Sequence, residues 1–342
     1  MTGNLDTSHK AELTRKLRLF VAGAIGLAVV VVVLGAFTRL VDAGLGCPDW
    51  PGCYGHLLWP NTASEIATAE QVFPDTPVDL DKTWPEMVHR YFAGALLLVV
   101  AGLAFTVWRK QYPKKIRVLT SVLLVLIICQ AAFGAWTVTL KLWPQVVTAH
   151  LLGGFATLSM LWAIFLQLGG ATRLRLPQAA KAQLSNHMRL ALAVVVVQIA
   201  LGGWVSSNYA ALACADFPTC YGKWVPDMDM AEGFDVFQQV GPNYLGGLLD
   251  NDARVAIHWM HRVGALVVLV VVGLLAWRLK PPNGQLALLT GGVLALQVLL
   301  GILNVVWSLP LAVATAHNAV GALLLLCLVA VNFAPPKETP NG

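Results

Sequence analysis

Four histidines lie in apolar segments of the chain, and their spacing suits the binding of a metal-containing ring. His89 and His150 belong to the first half, and His261 and His317 belong to the second half. An ionisable side chain within a membrane segment is costly and usually marks a functional site. Two imidazoles at the same depth of a helix bundle can hold a heme iron axially from opposite sides. We therefore predict one bis-histidine heme site in each half.

The residues near these histidines support this prediction. The residue four positions further along is small in every case: Ala93, Gly154, Ala265 and Gly321. A small residue on the same helix face lets a flat macrocycle lie against the backbone. The simpler alternative is four polar side chains that hydrogen-bond between helices, but their duplicated positions favour heme. Zinc is less favoured, because no carboxylates or thiolates stand nearby at ligand spacing.

Glu86 distinguishes the first histidine pair from the second. It stands three residues before His89, whereas His258 stands three residues before His261. Since positions i and i+3 share a helix face, a carboxyl group is predicted beside one iron only. It could exchange a proton or anchor an intermediate, or it could be a solvated carboxylate at the membrane rim. His258 could replace it structurally or mediate the entry of protons or electrons.

Two arginines and two glutamines accompany the histidines. Arg90 and Arg262 directly follow the first histidine of each pair, and they could contact heme propionates or extend to the membrane interface. Gln130 and Gln297 lie in the middle of apolar segments. We interpret them as hydrogen-bonding groups of helix packing rather than as ligands.

Four cysteines lie in two long polar loops. They form two pairs, each enclosing five residues with a proline: Cys47 with Cys53, and Cys214 with Cys220. On the oxidising side of a membrane, such pairs are predicted to form disulfides that brace the loops. The competing interpretation is thiol–disulfide exchange with a partner.

The chain repeats itself, and this repeat sets the positions of the elements. Cys47 recurs 167 residues later as Cys214, and the same offset relates His150 to His317. Since each copy holds an even number of apolar runs, the copies are predicted to be parallel repeats about an axis along the membrane normal. The predicted divisions are a leader 1–16, a first bundle 17–168, a linker 169–186, a second bundle 187–333 and a tail 334–342.

The composition predicts an all-α integral membrane protein. Of the 342 residues, 57% are hydrophobic and only 12% are charged, and the mean hydropathy is +0.67. Backbone in lipid must satisfy its own hydrogen bonds, so runs that are long enough to cross are predicted as helices. There are eight such runs: 17–39, 87–108, 117–139, 147–168, 187–208, 256–278, 285–307 and 311–333.

The charges predict an orientation in the membrane. Basic residues cluster before the first run and in the short connections, whereas the long loops 40–86 and 209–255 hold most of the acidic residues. The positive-inside rule then places both termini in the cytoplasm and both long loops outside, in the inner (plasma) membrane of a cell. The net charge of +5 reflects the basic inner rim and gives no reason to expect nucleic acid as a partner.

Several segments closely resemble the signature segments of the heme A synthase family, and the resemblance covers nearly the whole chain. These segments are GLGCPDWP at 44–51, EMVHR at 86–90, and TAH at 148–150 and 315–317. The resemblance implies an eight-helix fold of two pseudo-symmetric four-helix bundles. It also implies an oxidoreductase that converts heme O to heme A for terminal oxidases.

The resemblance further implies roles for individual residues. One heme B cofactor would be held by His261 and His317, and the substrate heme O would lie between His89 and His150 with Glu86 beside it. A ring methyl group would be oxidised to a formyl group, with electrons delivered through the cofactor heme. Some relatives have one cysteine pair or none, which favours bracing over catalysis for Cys214 and Cys220.

The resemblance leaves the partners and one rival function open. A heme O synthase, factors of terminal oxidase assembly, membrane lipid and an unidentified electron donor are the expected partners. The rival is a non-enzymatic carrier with two type B hemes, used for electron transfer or heme transport. A quinone-linked disulfide oxidoreductase would use the cysteines but would leave the four histidines unexplained.

Overall fold

The computed structural model describes residues 2–337, with side chains from Ala11 onwards. The helices of the first half are α1 (Thr2–Leu40), α2 (Ala63–Val72), α3 (Leu80–Arg109), α4 (Lys114–Thr139) and α5 (Pro144–Gln167). Those of the second half are α6 (Gln178–Ser207), α7 (Met230–Gly233), α8 (Asn251–Leu279), α9 (Gly284–Val306) and α10 (Leu311–Phe333). The last residues of the predicted tail, 338–342, lie outside the described residues, as do Met1 and the other leader side chains before Ala11.

The prediction of an all-helical membrane protein is confirmed. Eight of the helices are long and apolar enough to cross a membrane, and they coincide with the eight predicted runs. The shortest of them has 23 residues, which corresponds to about 34 Å at the helical rise per residue. This length exceeds the roughly 30 Å of a bilayer hydrocarbon core.

The spanning helices pack in the same order of neighbours in each half. In the first half, α1 packs on α3, α3 on α4, α4 on α5, and α5 on α1; in the second half, α6, α8, α9 and α10 follow the same cycle. The halves meet where α5 contacts α6 and α10, and where α1 contacts α10. Buried leucine, isoleucine and valine side chains fill the core, among them Leu103, Leu161 and Leu275. The symmetry axis itself stays a prediction.

Each long loop contains a disulfide, as predicted, and the disulfide closes a short hairpin. Cys47 is bonded to Cys53, and Cys214 is bonded to Cys220. In the second hairpin, the Asp216 carboxylate accepts hydrogen bonds from the backbone N–H groups of Tyr221 and Gly222, at 2.6 and 3.0 Å.

An aspartate carboxylate closes each hairpin in the same way. The hydroxyl group of Thr219 and these backbone groups lower the pKa of Asp216 to about 2. Asp49 makes the equivalent backbone contacts in the first hairpin, with Tyr54 and Gly55. Each hairpin is therefore closed by hydrogen bonds to an aspartate as well as by its disulfide.

The second long loop also contacts the first half of the chain. The indole N–H of Trp143 donates to the carbonyl oxygen of Gln238 at 3.1 Å. The side-chain amide of Gln145 donates to the carbonyl oxygen of Val236 at 2.9 Å. This loop therefore lies over the turn between α4 and α5 and fixes the start of α5.

Candidate functional site

Each histidine of the first half lies against a glycine of a neighbouring helix. A Cβ atom added to Gly35 of α1 would lie 2.9 Å from Cε1 of His89 on α3. A Cβ atom added to Gly134 of α4 would lie 3.5 Å from Cε1 of His150 on α5. A Cβ atom at Gly35 would displace the His89 ring, because real Cβ atoms essentially never lie closer than 3.0 Å, whereas one at Gly134 would make an ordinary contact with His150.

The histidines of the second half are seated in the same way. A Cβ atom at Gly202 of α6 would lie 3.1 Å from Cε1 of His261, and one at Gly301 of α9 would lie 3.1 Å from Cε1 of His317. Gly134 and Gly301 are site residues that were not predicted from the sequence. Their separation by the repeat offset of 167 residues is the signal that would have revealed them.

Three of the four imidazoles carry a buried nitrogen atom without a protein partner. The Nδ1 atoms of His89, His150 and His317 are buried and have no hydrogen-bond partner within the described part of the chain. A metal-bound imidazole uses one nitrogen for the metal and still needs a partner for the other, so these Nδ1 atoms do not by themselves indicate a ligand. The feature that fits bis-histidine heme sites is the set of four imidazoles, each packed against a glycine.

The second half provides amide side chains that contact its histidines. Nε2 of Gln198 lies 3.0 Å from Nδ1 of His261 and also donates to the His261 carbonyl oxygen at 2.9 Å. Nε2 of Gln297 lies 3.3 Å from Nε2 of His317. Sequence reasoning missed Gln198, because Val31 stands at its repeat position and no pattern distinguished it.

The first half is more open beside its histidines. A Cβ atom at Gly154 would meet nothing within 4 Å, whereas one at Gly321 would meet Nε2 of Gln297 at 3.3 Å. Gln130, the counterpart of Gln297, lies against Gly153 instead. Gly154, four residues after His150, therefore borders open space. The equivalent space beside Gly321 is occupied by the side-chain amide of Gln297.

Glu86 is buried, with 4% of its surface exposed. Its Oε2 accepts a hydrogen bond from the backbone N–H of Cys47 at 2.9 Å, and its Oε1 forms an ion pair with Arg90. The alternative of a solvated carboxylate at the membrane rim is therefore wrong. Glu86 connects α3 to the base of the first disulfide hairpin.

His258 makes the corresponding contacts in the second half. It is also 4% exposed, its Nδ1 faces the backbone N–H of Cys214 at 3.2 Å, and its Nε2 faces Nε of Arg262 at 3.2 Å. In these contacts His258 takes the structural place of Glu86, which was one of the two alternatives that the sequence allowed. A neutral imidazole accepts a hydrogen bond at one nitrogen only, so His258 holds its hairpin with weaker contacts than a carboxylate does.

The two arginines bind the hairpins. Nη1 of Arg90 donates to the carbonyl oxygens of Asp49 and Gly52, at 2.9 and 2.6 Å. The guanidinium group of Arg262 donates to the carbonyl oxygens of Thr219 and Cys214, both at 2.7 Å. Both side chains point to the loops rather than along the lipid interface, and their contact with propionates stays a prediction.

Known proteins resemble this chain over nearly its whole length. Residues 18–329 match the family described as cytochrome oxidase assembly protein. The heme A synthase of Shewanella oneidensis is 45% identical, over 94% of this chain and 96% of its own length. Those of Paracoccus denitrificans and Halalkalibacterium halodurans are 29% and 26% identical, over 96% and 92% of this chain and 89% and 95% of their own lengths. With its eight spanning helices and paired histidines, the chain belongs to the heme A synthase family.

Proposed function

We propose that the protein oxidises a methyl group of heme O to the formyl group of heme A, with electrons passing through a bound heme B. The observation that carries this proposal is the arrangement of two histidine pairs seated on glycines, with a buried carboxyl group next to only one pair. Membership of the heme A synthase family supplies the substrate and the product.

We assign the cofactor site to the second half, where His261 and His317 would hold heme B. When bound there, this heme supplies one-electron chemistry. Gln198 contacts Nδ1 of His261 and leaves its Nε2 available for the iron, and an outer partner of this kind orients a ligand ring. An oriented ring suits a cofactor that stays bound through turnover.

We assign the substrate site to the first half, between His89 and His150. Neither ring accepts a hydrogen bond from a side-chain amide within the described residues, and Gly154 borders open space. Imidazoles that are not held by amides, next to an open region, suit a heme that must enter and leave. This difference between the halves supports the assignment.

Glu86 would serve as the proton-exchanging group of the substrate site. Its two oxygen atoms are held by the Cys47 N–H and by Arg90, and each carboxylate oxygen has a further lone pair. The hairpin thus fixes the carboxyl group one helical turn before His89. A positioned carboxyl group of this kind can transfer a proton in the oxidation.

The proposed setting is the inner membrane, with both termini in the cytoplasm and both hairpin loops outside. The basic inner rim and the eight spanning helices support this orientation. The heme A product would serve terminal oxidase assembly, and a heme O synthase would supply the substrate.

The proposal is tested by extracting the pigments of the purified protein and identifying them by mass. The protein should be produced in a host that makes heme O. We expect heme B together with heme O or heme A. Heme B alone would contradict the proposal and would favour the di-heme carrier.

Substitution of the glycines tests whether the positions of the imidazole rings determine the affinity for the substrate heme. We expect Gly35→Ala to weaken binding of the substrate heme about tenfold, since overpacking costs about 1–3 kcal/mol and the added Cβ would lie 2.9 Å from the His89 ring. Gly134→Ala is the matched control, because its Cβ would make an ordinary contact of 3.5 Å with His150. Titration with heme O, followed by optical absorbance, measures both. Equal losses in the two variants would contradict the proposed role of the close contact.

A further inference from the structure

An apolar groove of about 390 Å³ opens between the outer ends of α4 and α5. Its walls are almost entirely aromatic and aliphatic: Phe133, Trp136, Leu140, Trp143, Val146 and Ala149. The volume lies within the range of about 300–1,000 Å³ that is usual for small-molecule sites. Trp136 is 46% exposed, so the groove opens at the surface of the helix pair and could receive an apolar chain from the side.

The groove is formed by the same two helices that hold the His150 imidazole. Ala149 directly precedes His150, and Phe133 directly precedes Gly134. The His150 ring lies against Gly134, so both helices that hold this imidazole also form the groove. A ligand ring at His150 would therefore contact the same two helices, α4 and α5, that form the groove.

The walls of the groove are fixed by other contacts. The rings of Phe133 and Trp136 pack edge to face, with centroids 5.3 Å apart. Trp143 is hydrogen-bonded to the carbonyl oxygen of Gln238 in the second long loop. A preformed apolar surface loses little conformational entropy on binding.

The second half lacks most of these aromatic side chains at the equivalent positions. The residues 167 positions after Phe133, Trp136 and Trp143 are Leu300, Leu303 and Pro310. One aromatic residue, Trp307, stands instead at the position equivalent to Leu140. The two proposed ligands differ in a corresponding way, because heme O carries a long isoprenoid chain where heme B carries a vinyl group.

We propose that this groove binds the isoprenoid chain of heme O and thereby selects heme O over heme B at the His89–His150 site. The inference deepens the proposed function and rests on its assignment of the substrate heme to the first half. The bis-histidine pair recognises the iron that both hemes share. The aromatic groove recognises the chain that only heme O has.

The test is a titration of the purified protein, with its second-half site already loaded, using heme O and heme B as separate probes. We expect the wild-type protein to bind heme O at least about tenfold more tightly than heme B, because buried apolar chain adds affinity. Trp136→Leu introduces leucine, the residue found at the equivalent position of the second half, Leu303. It should weaken heme O binding about tenfold and leave heme B binding within about twofold.

Two further variants complete the test. Phe133→Leu removes another of the three aromatic rings of the groove. It should lower the same affinity ratio, and it provides the test if Trp136→Leu does not fold. Leu303→Ala changes the matched position of the second half and should leave the ratio unaltered.

Equal affinities of the wild-type protein for the two hemes would overturn the inference. So would an unchanged ratio in both groove variants, or a parallel loss of both affinities. The ratio is measured without turnover, so it is independent of the oxidation. A protein that selects heme O but forms no heme A would refute the proposed reaction and leave the groove assignment standing.

Discussion

Replacing Glu86 by histidine is expected to lower heme A formation by about 100-fold or more, a loss typical of removing a positioned proton-transfer group. The protein should remain folded and should retain heme B. The reason is that His258 already occupies the equivalent place in the second half, facing the N–H of Cys214 and the guanidinium group of Arg262. A histidine at position 86 can therefore keep the hairpin in place but lacks the carboxyl group. Heme A formed per bound heme B, identified by mass, measures the effect.

Glu86→Ala would be harder to interpret. It would leave the buried N–H of Cys47 and the charge of Arg90 without their partner, and an unpaired buried group costs about 1–3 kcal/mol. Loss of activity could then follow from a displaced hairpin. His258→Glu is the reciprocal control, and we expect it to reduce heme A formation less than about tenfold. Heme A formation at the wild-type rate by Glu86→His would remove the carboxyl group from the mechanism.

The helices and the disulfides could be predicted because their signals are local. Eight apolar runs of sufficient length have no stable alternative to helices in lipid. The cysteine pairs enclose a short segment with an aspartate, and that segment closes on itself in both halves. The internal repeat allowed the histidines to be assigned in pairs. Equivalent positions in the two copies imply that their side chains lie at the same depth in the membrane.

The surroundings of the site residues could not be predicted, because they depend on contacts between distant segments. The spacing of Glu86 and His89 gave their shared helix face, but it did not reveal that the first hairpin folds back to bury the carboxyl group. Likewise, Gln198 is 63 residues from His261, and its contact depends on how α6 packs against α8. Glycines are common in membrane helices, so Gly134 and Gly301 did not stand out individually.

Removing one histidine from each half should separate the two hemes. We expect His317→Ala to lose most of its heme B, because one of two axial ligands of the cofactor iron would be missing. We expect His150→Ala to keep heme B at nearly the wild-type level and to lose bound heme O and heme A. Extraction and mass analysis of the pigments of each variant, with protein content determined in parallel, measures both effects.

The His150→Ala and His317→Ala variants can be compared directly because the two histidines occupy equivalent positions. His150 and His317 both lie in TAH segments, separated by the repeat offset of 167 residues, and both rings rest on a glycine of the preceding helix. A general loss of folding would remove both hemes from both variants, and retention of folding is checked by thermal unfolding in detergent. If His150→Ala lost heme B and His317→Ala kept it, the assignment of cofactor and substrate to the halves would be reversed. If each variant lost the same share of a single pigment, heme B, the two sites would be equivalent. The presence of Glu86 in only one half would then have a structural explanation alone, as the partner of Arg90 and of the Cys47 N–H.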